Sequence, residues 1–112
     1  MPKPMPSFAS GVSELLVLRL LDQREMYGYE LARTILAATR ETIALQEGVL
    51  YPLLHALETQ GLLRSRKQTV AGRPRIYYSV SAKGRKRLAS LSAEWKRVSS
   101  GVASAMEGLV HA

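Results

Sequence analysis

Nine Lys and Arg residues occupy positions 61–87 with no Asp or Glu among them: Arg64, Arg66, Lys67, Arg73, Arg75, Lys83, Arg85, Lys86 and Arg87. Residues 1–60 hold five basic and seven acidic side chains, and residues 88–112 hold two of each, so the net charge of +7 is lodged in this one block. A solvated surface mixes its signs; an acid-free stretch of this length offers cations and N–H donors to a polyanion. Nucleic acid is the first candidate and an anionic membrane surface the second. Directly before the block, Leu50, Leu53, Leu54 and Leu57 form one apolar helical stripe. The opposite face carries Gly48, Tyr51, Pro52, His55 and Thr59, hydrogen-bonding and flat groups where Lys and Glu would ordinarily meet water.

Other chemistry is poorly provided for. Cysteine is absent, which removes disulfides, thiolate metal sites and thiol nucleophiles. There are two histidines, His55 and His111, no carboxylate pair at a useful spacing and no glycine-rich phosphate loop, so neither an enzyme nor a metal centre nor a cofactor is expected. No segment approaches the roughly eighteen apolar residues of a membrane span. The expected setting is cytoplasm.

The elements that must position these residues follow from periodicity. Residues 1–9, with MPKPMPS at their start, are expected to be a disordered tail and not a signal peptide. Ser10 is expected to cap a first helix that is apolar almost all round, through Val12, Leu15, Leu16, Leu18, Leu20 and Leu21. A second helix opens at Tyr27, with Leu31, Ile35 and Ala38 inward, and a linker over 39–45 leads to the third. Pro52 leaves two starts for that third helix: near Glu47 with the proline a turn inside, or at the proline itself. Gly61 ends it in the left-handed conformation. Alternation then predicts strands over 63–68 and 75–80, with the hairpin tip at Gly72-Arg73-Pro74-Arg75. Tyr77 and Tyr78 fall on opposite faces, so one belongs to the core. Three helices and a basic hairpin are the order of a winged helix-turn-helix domain, placed at residues 10–80 in a mostly α fold with minor β.

Ser81 caps a last helix over 82–112. Its apolar positions Leu88, Leu91, Trp95, Val98, Val102, Ala105 and Leu109 are spaced alternately by three and four, a heptad seam. The seam is expected to pair with a second copy of the chain, although packing along the first helix would also use it.

Three motifs in register resemble the PadR family of bacterial transcriptional regulators. They are Tyr27-Gly28-Tyr29-Glu30-Leu31; Gly48-Val49-Leu50-Tyr51-Pro52-Leu53-Leu54-His55 running on to Gly61-Leu62; and Gly72-Arg73-Pro74-Arg75 with Tyr77-Tyr78 and Gly84. Ala56 and Ile76 depart from the basic residues, and Ser81 from the threonine, that many members carry there. The single C-terminal helix resembles the compact subfamily. The resemblance implies a homodimeric repressor on a palindromic operator in double-stranded DNA, with the third helix in the major groove and the wing towards the minor groove.

On that footing the side chains divide into those that position and those that specify. Gln46, Glu47 and Val49 would meet base edges, Tyr51 and His55 would hydrogen-bond phosphate or base from the same DNA-facing surface as Gly48 and Pro52, and Arg73, Arg75 and Tyr77 would serve the wing. Arg64, Arg66 and Lys67 would add salt-sensitive attraction. Tyr51 has a second reading, as a cap on the edge of the core. Trp95 also has two: an ordinary aromatic of the dimer interface, or one wall of a slot for a small planar aromatic effector, which the resemblance to drug-sensing compact members implies. A non-specific, RNA-binding or architectural winged-helix protein is the main competitor; a protein adaptor is disfavoured by the acid-free block.

Overall fold

The first helix is the one on which the second helix, the last helix and the last strand pack. In the computed structural model, which describes residues 8–108, it is α1 (Phe8–Gln23). Val17, Leu18, Leu20 and Leu21 are buried there, and they meet Met26, Leu31, Ile35, Leu50, Leu54, Leu57, Leu62, Leu63, Tyr78, Val80 and Leu88 in one cluster. Each fully buried aliphatic side chain of this size contributes about 1.5–3 kcal/mol of transfer free energy. The helix already includes Phe8 and Ala9, so these two leave the expected tail and Ser10 is helical instead of a cap. Neither Phe8 nor Ala9 opposes helix, and a capping residue marks a start only where the chain before it cannot continue the ladder. Residues 1–7 of the expected tail, and Leu109 and His111, lie outside the described residues.

After α1 come β1 (Met26–Tyr27) and α2 (Gly28–Ala38). Leu31 and Ile35 are buried as expected, but Ala38 is exposed, because it falls at the very end of the helix where the chain turns away; Ala32 packs on the core in its place. The turn that follows places two non-glycine residues in the left-handed region, Arg40 (φ 52°) and Glu41 (φ 61°). Their N–H groups close α2 on Ala37 O (3.1 Å) and Leu36 O (2.7 Å). Thr39 secures the loop by donating to Ile35 O (2.7 Å) and accepting from Ile43 N (3.1 Å).

The next helix, α3 (Glu47–Thr59), takes the earlier of its two possible starts, with extended Gln46 before it and Pro52 inside. Leu50, Leu54 and Leu57 are buried and Leu53 is packed partly against the core. Gly61 (φ 78°) ends it, with Gly61 N donating to Glu58 O and Leu62 N to Leu57 O, both at 2.9 Å. That is the paired bonding of a Schellman motif.

The sheet has three antiparallel strands in the order β1-β3-β2, where β2 is Leu63–Val70 and β3 is Arg73–Val80. The strand β1, two residues long and paired Met26↔Tyr78 and Tyr27↔Tyr77, was not anticipated. The hairpin tip also differs from expectation. It is Ala71-Gly72, both left-handed at φ 52° and 78°, and Arg73 and Pro74 belong to β3. Two left-handed residues match the right-handed twist of the strands, as in a type I′ turn. Pro74 is tolerated because Val70↔Arg73 closes the hairpin, so the alternating ladder directs position 74 away from β2, beyond the end of the short β1.

The final helix, α4 (Ala82–Met106), is fixed at its start by a compact joint. Ser81 Oγ accepts from Gly84 N (3.0 Å) and donates to Gly61 O (2.6 Å), while Ser81 N donates to Leu62 O (3.0 Å). Gly84 is required: a Cβ there would lie 2.1 Å from Leu62 O and 2.7 Å from Val80 Cγ1. Arg85 and Arg87 bind Asp22 (3.1 Å) and Glu14 (3.0 Å) of α1. The heptad seam is therefore divided. Leu88, expected on the dimer seam, is buried in the domain's own core, and Leu91 packs beside it. Further along the helix Trp95 is 40% exposed and Val102 is 55% exposed.

Candidate nucleic-acid interface

Two surfaces meet at the open side of the domain: the outward face of α3 and the β2–β3 wing. On α3, Gln46, Glu47, Gly48, Pro52 and His55 are exposed and Val49 is 54% exposed. A Cβ at Gly48 would have no heavy atom within 4 Å, so nothing inside the chain demands glycine there. Pro52 cannot return a hydrogen bond to Gly48 O. Both residues weaken a helix, and both sit on its outward face.

Tyr51 is turned differently from its neighbours. It is half-buried, with its ring against the first residue of α2: a Cβ on Gly28 would fall 2.7 Å from Tyr51 Cε1 and 2.9 Å from its hydroxyl. Tyr51 and His55 line one side of a cleft of about 250 Å³, and Pro74, Arg75 and Ile76 line the other. The expected residues Tyr51, His55 and Arg75 are thus brought together, with Tyr27 and Gly28 completing the wall. Tyr78, at the floor, is the core member of the tyrosine pair; burial raises its hydroxyl pKa above the usual value, and the Glu58 carboxylate adds to that.

Cross-strand register assigns the wing arginines to one face. Arg64↔Ser79, Arg66↔Tyr77, Gln68↔Arg75 and Val70↔Arg73 are directly opposed, so Arg64, Arg66, Arg73 and Arg75 share the side away from the core. Two of the four are held by other side chains. The Arg75 guanidinium lies 4.4 Å from the Tyr27 ring centroid, Tyr27 meets Tyr77 edge-on at 5.6 Å, and Arg66 lies 5.1 Å from the Tyr77 centroid. Arg66 also donates through Nε to Glu25 Oε2 (3.0 Å), through Nη2 to Glu25 Oε1, and through Nη1 to Gln68 (2.7 Å). The hydrogen bond from Arg66 holds the Glu25 carboxyl below its usual pKa.

The acid-free block is thus less bare in space than in sequence. Arg66, Arg85 and Arg87 have carboxylate partners from the first quarter of the chain, and Lys83 donates to Gln60 O at the end of α3 (2.8 Å). Arg64, Lys67, Arg73 and Lys86 make no ion pair among the described residues. Sequence reasoning missed the part played by Glu25 and by Tyr27, since a two-residue strand carries no periodicity. Gly28, beside an aromatic-rich stretch, was the one available sign of a close approach.

Helix-turn-helix, two-stranded wing and basic outer face define a winged-helix protein. Residues 17–90 match the transcriptional regulator PadR-like family, and the chain belongs to that family. It is 33% identical over 81 residues to the transcriptional regulator Rv3488 of Mycobacterium tuberculosis, a match covering 72% of this chain and 73% of that one. Among solved structures it is similar to a PadR family transcriptional regulator from Eggerthella lenta, at 34% identity and a TM-score of 0.77, covering 89% of this chain and 86% of that one. A PadR-like transcriptional regulator from Bacillus cereus gives 29% identity and a TM-score of 0.78, with coverage of 92% and 99%. The protein is a transcriptional regulator of the PadR family. Among the described residues, no helix is long and apolar enough to cross a membrane.

Proposed function

We propose that the protein is a homodimeric repressor, not an enzyme, which binds a palindromic operator with α3 in the major groove and the arginine face of the wing along the adjoining backbone. The observation that carries this reading is the pairing of two surfaces: a helix face of Gly48, Val49 and Pro52 that is open and uncharged, beside a strand face with four arginines. The first suits contact with base edges and the second neutralises phosphates. Tyr51, His55 and Arg75, gathered at the cleft between them, are placed for a phosphate that spans the two. The second copy would join through Trp95, Val98, Val102 and Ala105, where α4 extends beyond its own core. A planar effector entering between the two Trp95 rings would release the DNA, and saturable quenching of tryptophan emission is the check on that element.

Fluorescence anisotropy with duplex DNA from upstream of the coding sequence, against a scrambled duplex, tests the proposal. The expected result is at least tenfold tighter binding to the native duplex, about 1.4 kcal/mol. Arg73→Ala should weaken both duplexes alike and flatten the salt dependence by about one unit of slope. Equal binding of both duplexes would favour a non-specific winged-helix protein, and no binding at low salt would refute the DNA reading.

A further inference from the structure

Resting on that reading, the make-up of α3 narrows how a half-site can be read. Guanine is ordinarily recognised by Arg or Lys and adenine by Asn or Gln, each as a bidentate donor set in the major groove. Residues 47–59, EGVLYPLLHALET, contain none of these four residue types, and Gln46 stands just before the helix. The side chains exposed over the first two turns are Glu47, Val49 and Pro52, with Gly48 bare between them. Glu47 can accept from the amino group of cytosine. Val49 can make only apolar contact, and the one apolar group that a base edge offers in the major groove is the thymine 5-methyl.

We propose that Val49 is the specificity-determining side chain and that it selects thymine by packing on the 5-methyl group. Gly48 and Pro52 are the positioning residues. With no Cβ at position 48 to hold the backbone off, the first turn can approach the groove floor closely enough for a side chain as short as valine to reach. The same two residues account for each other on this view. A glycine whose added Cβ would meet no neighbouring atom, four positions before a proline on the same outward face, keeps that face thin where a partner lies against it.

The test begins with duplexes selected from a random-sequence library by the full-length chain, followed by replacement of each thymine in the consensus with deoxyuridine, which lacks the methyl. Wild type, Val49→Ala and Val49→Gly are compared by anisotropy, after thermal melts have established that the exposed substitutions leave folding intact. The expected result is one thymine per half-site whose replacement weakens wild-type binding by about three- to fivefold, the worth of one buried methyl. In Val49→Ala, whose single methyl reaches less far, the difference should shrink, and in Val49→Gly, with no side chain, it should vanish. A consensus in which no thymine is methyl-sensitive, or one in which Val49→Ala keeps the same sensitivity, overturns the inference and leaves the regulator reading standing. Retention of duplex without any consensus overturns both.

Discussion

Two glycine-to-alanine substitutions in helices should act on stability with opposite signs. At Gly84 the added methyl would lie 2.1 Å from the carbonyl oxygen of Leu62, a backbone atom that cannot swing aside. The same carbonyl accepts from Ser81 N, and Ser81 Oγ accepts from Gly84 N, so moving α4 outward loosens the joint and its cap together. Overpacking of this kind costs about 1–3 kcal/mol and loss of the cap about 1 kcal/mol. The better helix propensity of alanine returns about 1 kcal/mol. The net expectation is destabilisation by about 1–3 kcal/mol, or a melting temperature lower by about 5–20 °C for a domain of this size. Gly48→Ala meets open space and should leave stability unchanged or raise it by up to about 1 kcal/mol. Thermal and urea denaturation followed by far-UV circular dichroism would measure both, at one fixed protein concentration because self-association shifts midpoints. If Gly84→Ala melts at or above wild type, the close approach of α4 to Leu62 is wrong and the joint argument fails.

Three further outcomes are expected. Glu25 has its folded pKa lowered beneath the ordinary 4.5 by Arg66; its stabilising contribution is complete above the unfolded value and lost as pH falls through the folded one. The stability gap between wild type and Glu25→Gln in urea melts should therefore exist near neutrality and close on acidification, and a gap that widened below pH 4 would contradict it. Gly28→Ala should push the Tyr51 ring out of its seat and lower DNA affinity several-fold, while thermal melts move less than for Gly84→Ala because the obstructing group is the end of a side chain. Val102→Glu, at a position 55% exposed in the single chain, should shift the molecular mass in analytical ultracentrifugation from dimer to monomer without unfolding the domain. A dimer that persisted would place the interface elsewhere.

What could be read from the residues was whatever rests on local periodicity and turn chemistry. The stripe of Leu50, Leu54 and Leu57, the left-handed Gly61 and the Ser81 cap depend on neighbours within five positions, and all three are found. The misreadings share a different origin. A strand as short as Met26–Tyr27 exists only because β3 is beside it. Leu88 fits the seam by spacing, and its burial in the domain's own core, one turn after Gly84, is something spacing does not reveal. Arg66 counted as a free cation until the fold brought Glu25 to it across 41 residues. Ala71-Gly72 was legible as a turn, but a proline two positions later drew the tip towards Arg73. For the candidate site, the helix face could be read directly, whereas the grouping of Tyr51 with Gly28 and Arg75 depended on three elements converging.

The rigid joint at the start of α4 makes that helix a lever. Its 25 residues span about 37 Å at 1.5 Å per residue. It is held at one end by Ser81, Gly84 and Leu88, so on the proposed dimer its rotation would be passed to the winged-helix domain. If two such helices crossed near the middle of the Trp95–Ala105 seam, a change of about ten degrees in their angle would move each domain by about 5 Å, more than one base-pair step along a duplex. On the proposed dimer, small adjustments where two copies touch would thus become larger displacements in operator register, and DNA would feel the geometry of a surface it never contacts.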